Sequence, residues 1–566
     1  MGNCGNKSTT ESAVEPEIVG PNVTQNLFRE QLNGQFNKHY TIEKQLGQGS
    51  MGAVSMIRKT GYNKSIQLSN RKITQGDPFL ETGETSFALK EIIMDRVSDE
   101  FMEELRNEIE ILKTMDHPNI VKAYETFEES KHIYLVMELC SGGDLYQRAP
   151  YSEIEAAKII QKLLSAIKYM HNKGIVHRDL KFENIMFEDG RPNAQIKLID
   201  FGLSKKFLPD EDHRMTDGVG TIYTMAPQVL QGVYTSRADL WSCGVIAYIL
   251  LSSLKPFRHK NRKYVIHKIM MCDYNFRGER WKHISDQAKE FVCELIKLDP
   301  SQRWTATQAL KSDFLSQSLD NLSERKPDLE SVKEARGNMI AFTEAGDLNK
   351  LVSLVVAHKM SSNEIVDLRK IFSQFDKNND GVLSLAEFQT ALSESGVTQD
   401  ESTSIFNDLD LNQTGSIDYT EFLASTIEKH GDIEEAKLAD AFDQLDSDDT
   451  GFITRTNLRN MLGTQYTKEK VDAIFSEVDT DNDNKICYNE FISVFRKGVK
   501  GEAESIRVGN CHSSQSIRKG SCDSSQLGES QRELDVTLED DELEITGEIV
   551  DIHHRVPGGK HEMKKM

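Results

Sequence analysis

The chain contains no run of apolar residues approaching the roughly 18 to 20 that cross a bilayer, so no membrane-spanning helix is expected. Its 8 cysteines (Cys4, Cys140, Cys243, Cys272, Cys293, Cys487, Cys511 and Cys522) are scattered, with no CxxC pair and no signal peptide ahead of them. A disulfide framework is therefore not expected, and a reducing, cytoplasmic setting is. Positive charge is also short: 68 Lys and Arg stand against 90 Asp and Glu, a formal net charge of -22. That balance argues against nucleic-acid binding and favours metal cations or basic partners, the more so because the acids cluster after Asp376. At 566 residues the chain is too long for one hydrophobic core and is expected to divide into two to four domains.

What is present begins with HRDLKFEN, His177 to Asn184, followed by DFG at Asp200 to Gly202 behind the apolar run IKLI (196–199). Moving a phosphoryl group to a hydroxyl needs a carboxylate to take the hydroxyl proton, a side chain on a second metal ion, and a carboxylate on the Mg²⁺ that bridges the phosphates. Asp179, Asn184 and Asp200 have the chemistry for these three tasks, and Lys181 can neutralise charge on the transferred group. The order of the two motifs resembles the protein kinase signature, and Lys181 is the serine/threonine-type choice. Upstream, Gly47, Gly49, Gly52 and Val54 match G-x-G-x-x-G-x-V, and FALK places Ala88 and Lys90 on the following strand. Glycines let backbone amides approach phosphates without a Cβ in the way. Lys90 is expected on the α and β phosphates with Glu108 as its partner, while Glu103, Glu104 and Glu110 form a solvated helix face. In IYLVMEL (133–139) and the residues just after it, Met137 is expected behind the adenine, Glu138 and Cys140 along the hinge, and Asp144 near the ribose or a substrate arginine.

Several positions depart from the kinase pattern. A-P-E reads Ala226, Pro227, Gln228, which leaves Arg303 a neutral partner; IYTM (222–225) replaces the usual proline and paired tyrosines; Phe182 replaces a proline. Asp217 stands where many kinases carry an activating phosphate, so a permanent carboxylate is expected to face Arg178. Asp239, at the start of the apolar helix 238–251, is expected to tie the catalytic loop. Thr60 to Thr85 reads as a flexible insert.

The second half repeats. Acidic loops begin at Asp376, Asp410, Asp446 and Asp479, 34, 36 and 33 residues apart, each behind an amphipathic helical pattern. A calcium loop supplies oxygens from positions 1, 3, 5, 7, 9 and 12 around a glycine at position 6. The first offers Asp376, Asn378, Asp380, Val382 (backbone), Ser384 and Glu387; the second Asp410, Asn412, Thr414, Ser416 (backbone), Asp418 and Glu421. The fourth offers Asp479, Asp481, Asp483, Lys485 (backbone) and Glu490, with Asn484 in the glycine position. The third has Asp446, Asp448 and Thr450 but ends in Asn457, so it is expected to be weak or empty. Apolar residues at position 8 (Leu383, Ile417, Ile453 and Ile486) are expected to join the loops in pairs. Residues 316–360 read as one or two helices with Met339, Ile340, Phe342, Leu348, Leu351, Leu354 and Val355 on apolar faces, anchors that an EF-hand module could grip.

A kinase domain, a junction and four EF-hands, behind Gly2 and Cys4 in an acylation-like MGNCGNKS, resemble the calcium-dependent protein kinases of plants and protists. The resemblance implies an α+β two-lobed kinase fold followed by an all-α calmodulin-like module. The expected division is 1–39 flexible, 40–315 kinase (N-lobe to 140), 316–360 junction, 361–497 EF-hands and 498–566 a disordered tail. It also implies ATP, Mg²⁺ and Ca²⁺ as ligands, autoinhibition by the junction, and a monomer acting on protein Ser/Thr with upstream basic residues that Asp144 and Glu183 favour. Peripheral membrane attachment through Gly2 and Cys4 is a further expectation. A calcium-responsive pseudokinase scaffold, motivated by Gln228, is the alternative.

Overall fold

The computed structural model describes residues 21–32, 35–48, 52–60, 86–206, 215, 220–320, 329–393, 396–427 and 434–496. Gly2, Cys4, Gly49, Asp217, the insert after 60 and the tail lie outside them. Six strands form one sheet: β1 (Arg29–Leu32), β2 (Tyr40–Gln48), β3 (Gly52–Lys59), β4 (Ser86–Ile93), β5 (Ala123–Glu128) and β6 (His132–Glu138), in the order β1-β5-β6-β4-β3-β2. All pairings are antiparallel except that of β1 with β5. The helix Asp99–Leu112, capped by Ser98, buries Leu105, Ile109, Ile111, Leu112 and the carboxylate of Glu108. Glu103, Glu104 and Glu110 face solvent, as the sequence pattern implies.

The second lobe is built around the helix Arg237–Ser252, in which every residue from Ala238 to Ser252 is buried. A helix apolar on all sides is stable only when protein surrounds it. The helix Glu153–Asn172 packs on it and starts in a reciprocal cap between Ser152 and Glu155.

The N-terminal segment corrects an expectation. Residues 21–39 were expected to be flexible, yet β1 extends the sheet, and Val23 and Leu27, each 2% exposed, enter the core of the C-terminal helical module. Phe36 stacks on Tyr134 with ring centroids 4.6 Å apart. Gln444 Nε2 donates to the Leu27 carbonyl across a sequence separation of 417 residues. A short polar segment carries no local periodicity that could reveal a partner so distant.

After the kinase lobes come helices Leu329–Thr343 and Asp347–Lys359, then four helix–loop–helix units between Val366 and Arg496. Met339, Phe342, Leu348, Leu351, Leu354 and Val355 are buried, Ile340 half so, enclosed by apolar residues of those units. Two-residue strands join the loops in pairs, Leu383 opposite Ile417 and Ile453 opposite Ile486.

The helical module docks on both lobes. Arg369 Nη1 lies 3.0 Å from Glu188, Glu188 lies 3.6 Å from Lys197, and Lys197 lies 2.9 Å from Glu138 at the end of β6. Burial acts to raise the Glu188 carboxyl, but the charges of Lys197 and Arg369 outweigh it and hold the group below the usual carboxylate range. Thr420 donates through N and Oγ1 to Asp116 at 2.7 and 2.8 Å, and Lys168 Nζ reaches Asn378 Oδ1 at 2.6 Å. A Cβ on Gly381, whose φ is +79°, would fall 2.0 Å from the His117 ring.

Removing Arg369 leaves Glu188 buried with one cation fewer. Arg369→Met is expected to lower stability by about 3–5 kcal/mol, read as a lower denaturant midpoint. Lys370→Met, on an exposed pair with Asp367, is expected to leave the midpoint unchanged.

Candidate active site and candidate metal loops

β4 and the helix Asp99–Leu112 bring Lys90 Nζ within 2.7 Å of both Glu108 oxygens. Burial works to lower the Lys90 pKa, and the negative charges of Glu108 and Asp200 more than reverse it, so the ammonium stays charged. Asp200 is likewise held below its ordinary value: burial opposes ionisation, while Lys90 and the Gly202 N–H, 3.1 Å from Oδ1, favour it. Phe201 is fully buried against His177, with ring centroids 5.3 Å apart, which fixes the neighbouring Asp200.

The catalytic loop is held from behind. Asp239 accepts the His177 N–H at 2.9 Å and the Arg178 N–H at 3.0 Å, and Arg178 adopts a left-handed φ of 71°. Such a conformation costs energy for a side chain with a Cβ and persists only where its surroundings enforce it. Asp179 is the hub that results. Its Oδ1 accepts Thr221 N and Oγ1 at 2.9 and 2.7 Å, and its Oδ2 accepts Lys181 Nζ at 2.7 Å and Asn184 Nδ2 at 3.3 Å. A carboxylate so surrounded by donors is fixed in one orientation, beside a lysine that can offset negative charge arriving at the same place.

On the nucleotide side, Val54 lies opposite both Gly47 and Lys90, and Ala88 opposite Met137. A Cβ on Gly47 would meet nothing within 4 Å, whereas one on Gly52 would sit 1.7 Å from the Glu91 carbonyl. Close packing against β4 therefore already demands glycine at 52. Cys140 is buried, which pushes its thiol well above the ordinary range and keeps it protonated. The Glu138 carboxylate accepts Lys197 Nζ and the Lys122 N–H, so only its backbone is left to line a hinge. Asp144 Oδ1 accepts the N–H groups of Tyr146 and Gln147 at 2.8 and 3.0 Å.

Two residues that motif matching passed over belong to this region. Tyr223 Oη donates to Glu183 at 2.8 Å and accepts the Phe182 N–H at 3.2 Å, and Lys255 Nζ lies 4.0 Å from the Tyr223 ring centroid. The only hint in the sequence was that Phe182, and the residues on either side of Tyr223, lie where the kinase pattern is broken.

The loops of the helical module gather oxygens. The first residue of each supplies both carboxylate oxygens to N–H groups at positions 5 and 6, as Asp376 does for Asp380 and Gly381. Asn484 takes a φ of 62°, the left-handed turn for which it was expected to substitute for glycine. Carboxylate oxygens of Asp479, Asp481 and Asp483 lie within 4.8 Å of one another. Burial, with the charges of Asp380 and Glu387 adding to it, raises the Asp376 carboxyl to about 7. Burial and then Asp418 push Glu421 well up. Convergent carboxylates that repel one another fit a divalent cation among them. The third loop differs: Asn457 Nδ2 donates to Asp448 Oδ1 at 3.3 Å and to Ser447 Oγ at 3.0 Å, an N–H donor where a cation would need an oxygen.

Gln228 accepts from the buried Arg303 Nη2 at 3.2 Å. Burial, and then the charge of Arg237, pull the Arg303 pKa down to about 9. Gln228→Glu replaces a neutral acceptor with a charged one and is expected to add about 1 kcal/mol, a rise of roughly 2–4 °C in the kinase-domain melting midpoint by calorimetry.

The family model described as "Protein kinase domain" matches residues 79–315, and the one described as "EF-hand domain pair" matches residues 365–426 and 435–496. The chain is 33% identical over 486 residues to calcium-dependent protein kinase 5 of Plasmodium falciparum, covering 83% of this chain and 79% of that protein. It is 34% identical over 470 residues to calcium-dependent protein kinase 11 of Oryza sativa, covering 81% and 76%. To calcium-dependent protein kinase 21 of Arabidopsis thaliana it is 32% identical over 472 residues, covering 81% and 83%. With likeness of this extent spanning both halves, the chain belongs to the calcium-dependent protein kinase family.

Proposed function

We propose that this protein is a calcium-activated serine/threonine protein kinase in which the junction helices block the substrate site at low calcium and are withdrawn when the EF-hands load. The observation that carries the reading is the Asp179 hub, assembled together with an intact Lys90–Glu108 pair. The substrate hydroxyl oxygen bonds to the γ-phosphorus of ATP, the bond from that phosphorus to the β–γ bridging oxygen breaks, and ADP leaves. Asp179 takes the hydroxyl proton, Lys181 offsets the charge on the transferred group, and Lys90, held by Glu108, positions the α and β phosphates. Asn184 and Asp200 would hold Mg²⁺, which when bound neutralises phosphate charge. Gly47, Gly52, Val54, Ala88, Met137, Cys140, Asp144 and the Glu138 backbone would enclose the nucleotide.

Loops one, two and four, closing in the carboxylates of Glu387, Glu421 and Glu490, are the calcium sites of this reading; loop three is a metal-free partner of loop four. The burial of Met339, Phe342, Leu351 and Leu354 inside the helical module supports withdrawal of the junction, because apolar anchors held there are not available to cover the kinase groove. Targets with upstream basic residues, meeting Asp144 and Glu183, are the finer part of the proposal.

Transfer of phosphate from ATP to a basic serine peptide is expected only with calcium, and Asp179→Asn is expected to lower it about 10²- to 10⁴-fold. Equal transfer with and without calcium would overturn the gating. No transfer in either condition, with ATP still bound, would make the protein a calcium-responsive scaffold. Calorimetric calcium titration of the full chain is expected to count three sites, and Asn457→Glu to count four; four sites in the unsubstituted chain would overturn the assignment of loop three.

A further inference from the structure

Glu183 lies on the short turn Phe182–Asn184, four positions past Asp179, and is half-buried. A carboxylate so placed, beside the point where a substrate hydroxyl gives up its proton, attracts a cationic substrate residue if nothing else answers its charge. In this chain two side chains from two separate stretches do answer it. Tyr223, two positions past the Thr221 that bonds Asp179, donates its hydroxyl to Glu183 Oε2 at 2.8 Å. That hydroxyl is oriented because it also accepts the Phe182 N–H at 3.2 Å. A proline at 182 would have no N–H to give, so the departure at 182 is what lets the Tyr223 hydroxyl be held on both sides. Lys255, in the loop after the central helix, places its ammonium 4.0 Å from the Tyr223 ring centroid, within the range of a cation–π contact. Burial lowers the pKa of that ammonium, and the charge of Glu183 works against the fall, so the two groups sense one another across the ring. The wall is completed by Tyr146, 36% exposed, whose ring lies 4.7 Å from that of Phe182.

We propose that Lys255 is a specificity-determining residue of the kinase groove, cancelling the charge of Glu183 through Tyr223, so that the aromatic-walled subsite beside Asp179 admits a neutral or acidic substrate residue nearly as well as a basic one. The inference rests on the kinase reading and refines its substrate class: of the two carboxylates assigned to upstream basic residues, Glu183 is compensated from within the protein. Lys255 is thus a filter set against a second cation in the substrate.

The test uses the full chain with calcium and a set of serine peptides in which each upstream position carries either Arg or Ala. The readout is the Arg/Ala ratio of kcat/KM at each position, with competitive peptide binding measured alongside. Lys255→Gln is expected to raise that ratio about five- to tenfold at one position. In a Glu183→Gln background the same substitution is expected to leave it unchanged. A structural role for Lys255 would lower turnover of all peptides together and leave every ratio where it was. An unchanged ratio in Lys255→Gln, or an equal rise in the Glu183→Gln background, would overturn the proposal. If no peptide is turned over, the kinase reading falls, while the binding ratios still decide whether Lys255 sets the charge preference.

Discussion

A carboxylate shared by two cations, Glu188 between Lys197 and Arg369, joins the helical module to the strand that links the two kinase lobes. Its neighbours at Glu138 and Asp116 extend the contact to the end of β6 and to the segment behind the helix of Glu108. The groups that make the active site are contributed by both lobes: Lys90 and Glu108 by one, Asp179 and Asp200 by the other. A body anchored to both restrains their relative rotation. Buried ion pairs of this kind gain little net stability against apolar replacements, but losing one partner is costly. That asymmetry suits a joint that must form in one register or not at all.

How far the sequence could be read depended on how local each signal was. Asp179, Asn184, Asp200 and Lys90 sit in motifs whose spacing is dictated by phosphate chemistry, and the loops from Asp376 to Glu490 in a repeat dictated by calcium coordination. The helix 238–251 announced its burial by having no polar face. Junction anchors such as Met339 and Leu351 followed from helical periodicity, though nothing in that periodicity says what covers them. What escaped was non-local. The edge strand Arg29–Leu32, the Glu138 carboxylate drawn towards Lys197, and the Gly52 that β4 leaves no room to replace all depend on partners that no window of sequence contains.

The departures from the kinase pattern were legible as departures but not as a group. Gln228 stands alone, a neutral acceptor for a buried guanidinium whose remaining hydrogen bonds go to backbone carbonyls. Phe182, which does depart from the pattern, joins Tyr223 and Lys255 in one cluster around the Tyr223 ring and hydroxyl.

The parallel strand Arg29–Leu32 also has a meaning for where this protein can be cut. An outer strand with unpaired N–H and C=O groups invites pairing with other chains, and β1 covers that edge of β5. The same segment, through Val23 and Leu27, fills part of the helical module. A kinase domain begun at Tyr40, where the motif pattern would start it, exposes a sheet edge on one body and an apolar recess on the other. The boundary that respects the physics lies before Pro21, and the unit it encloses comprises kinase, junction and calcium-binding helices together.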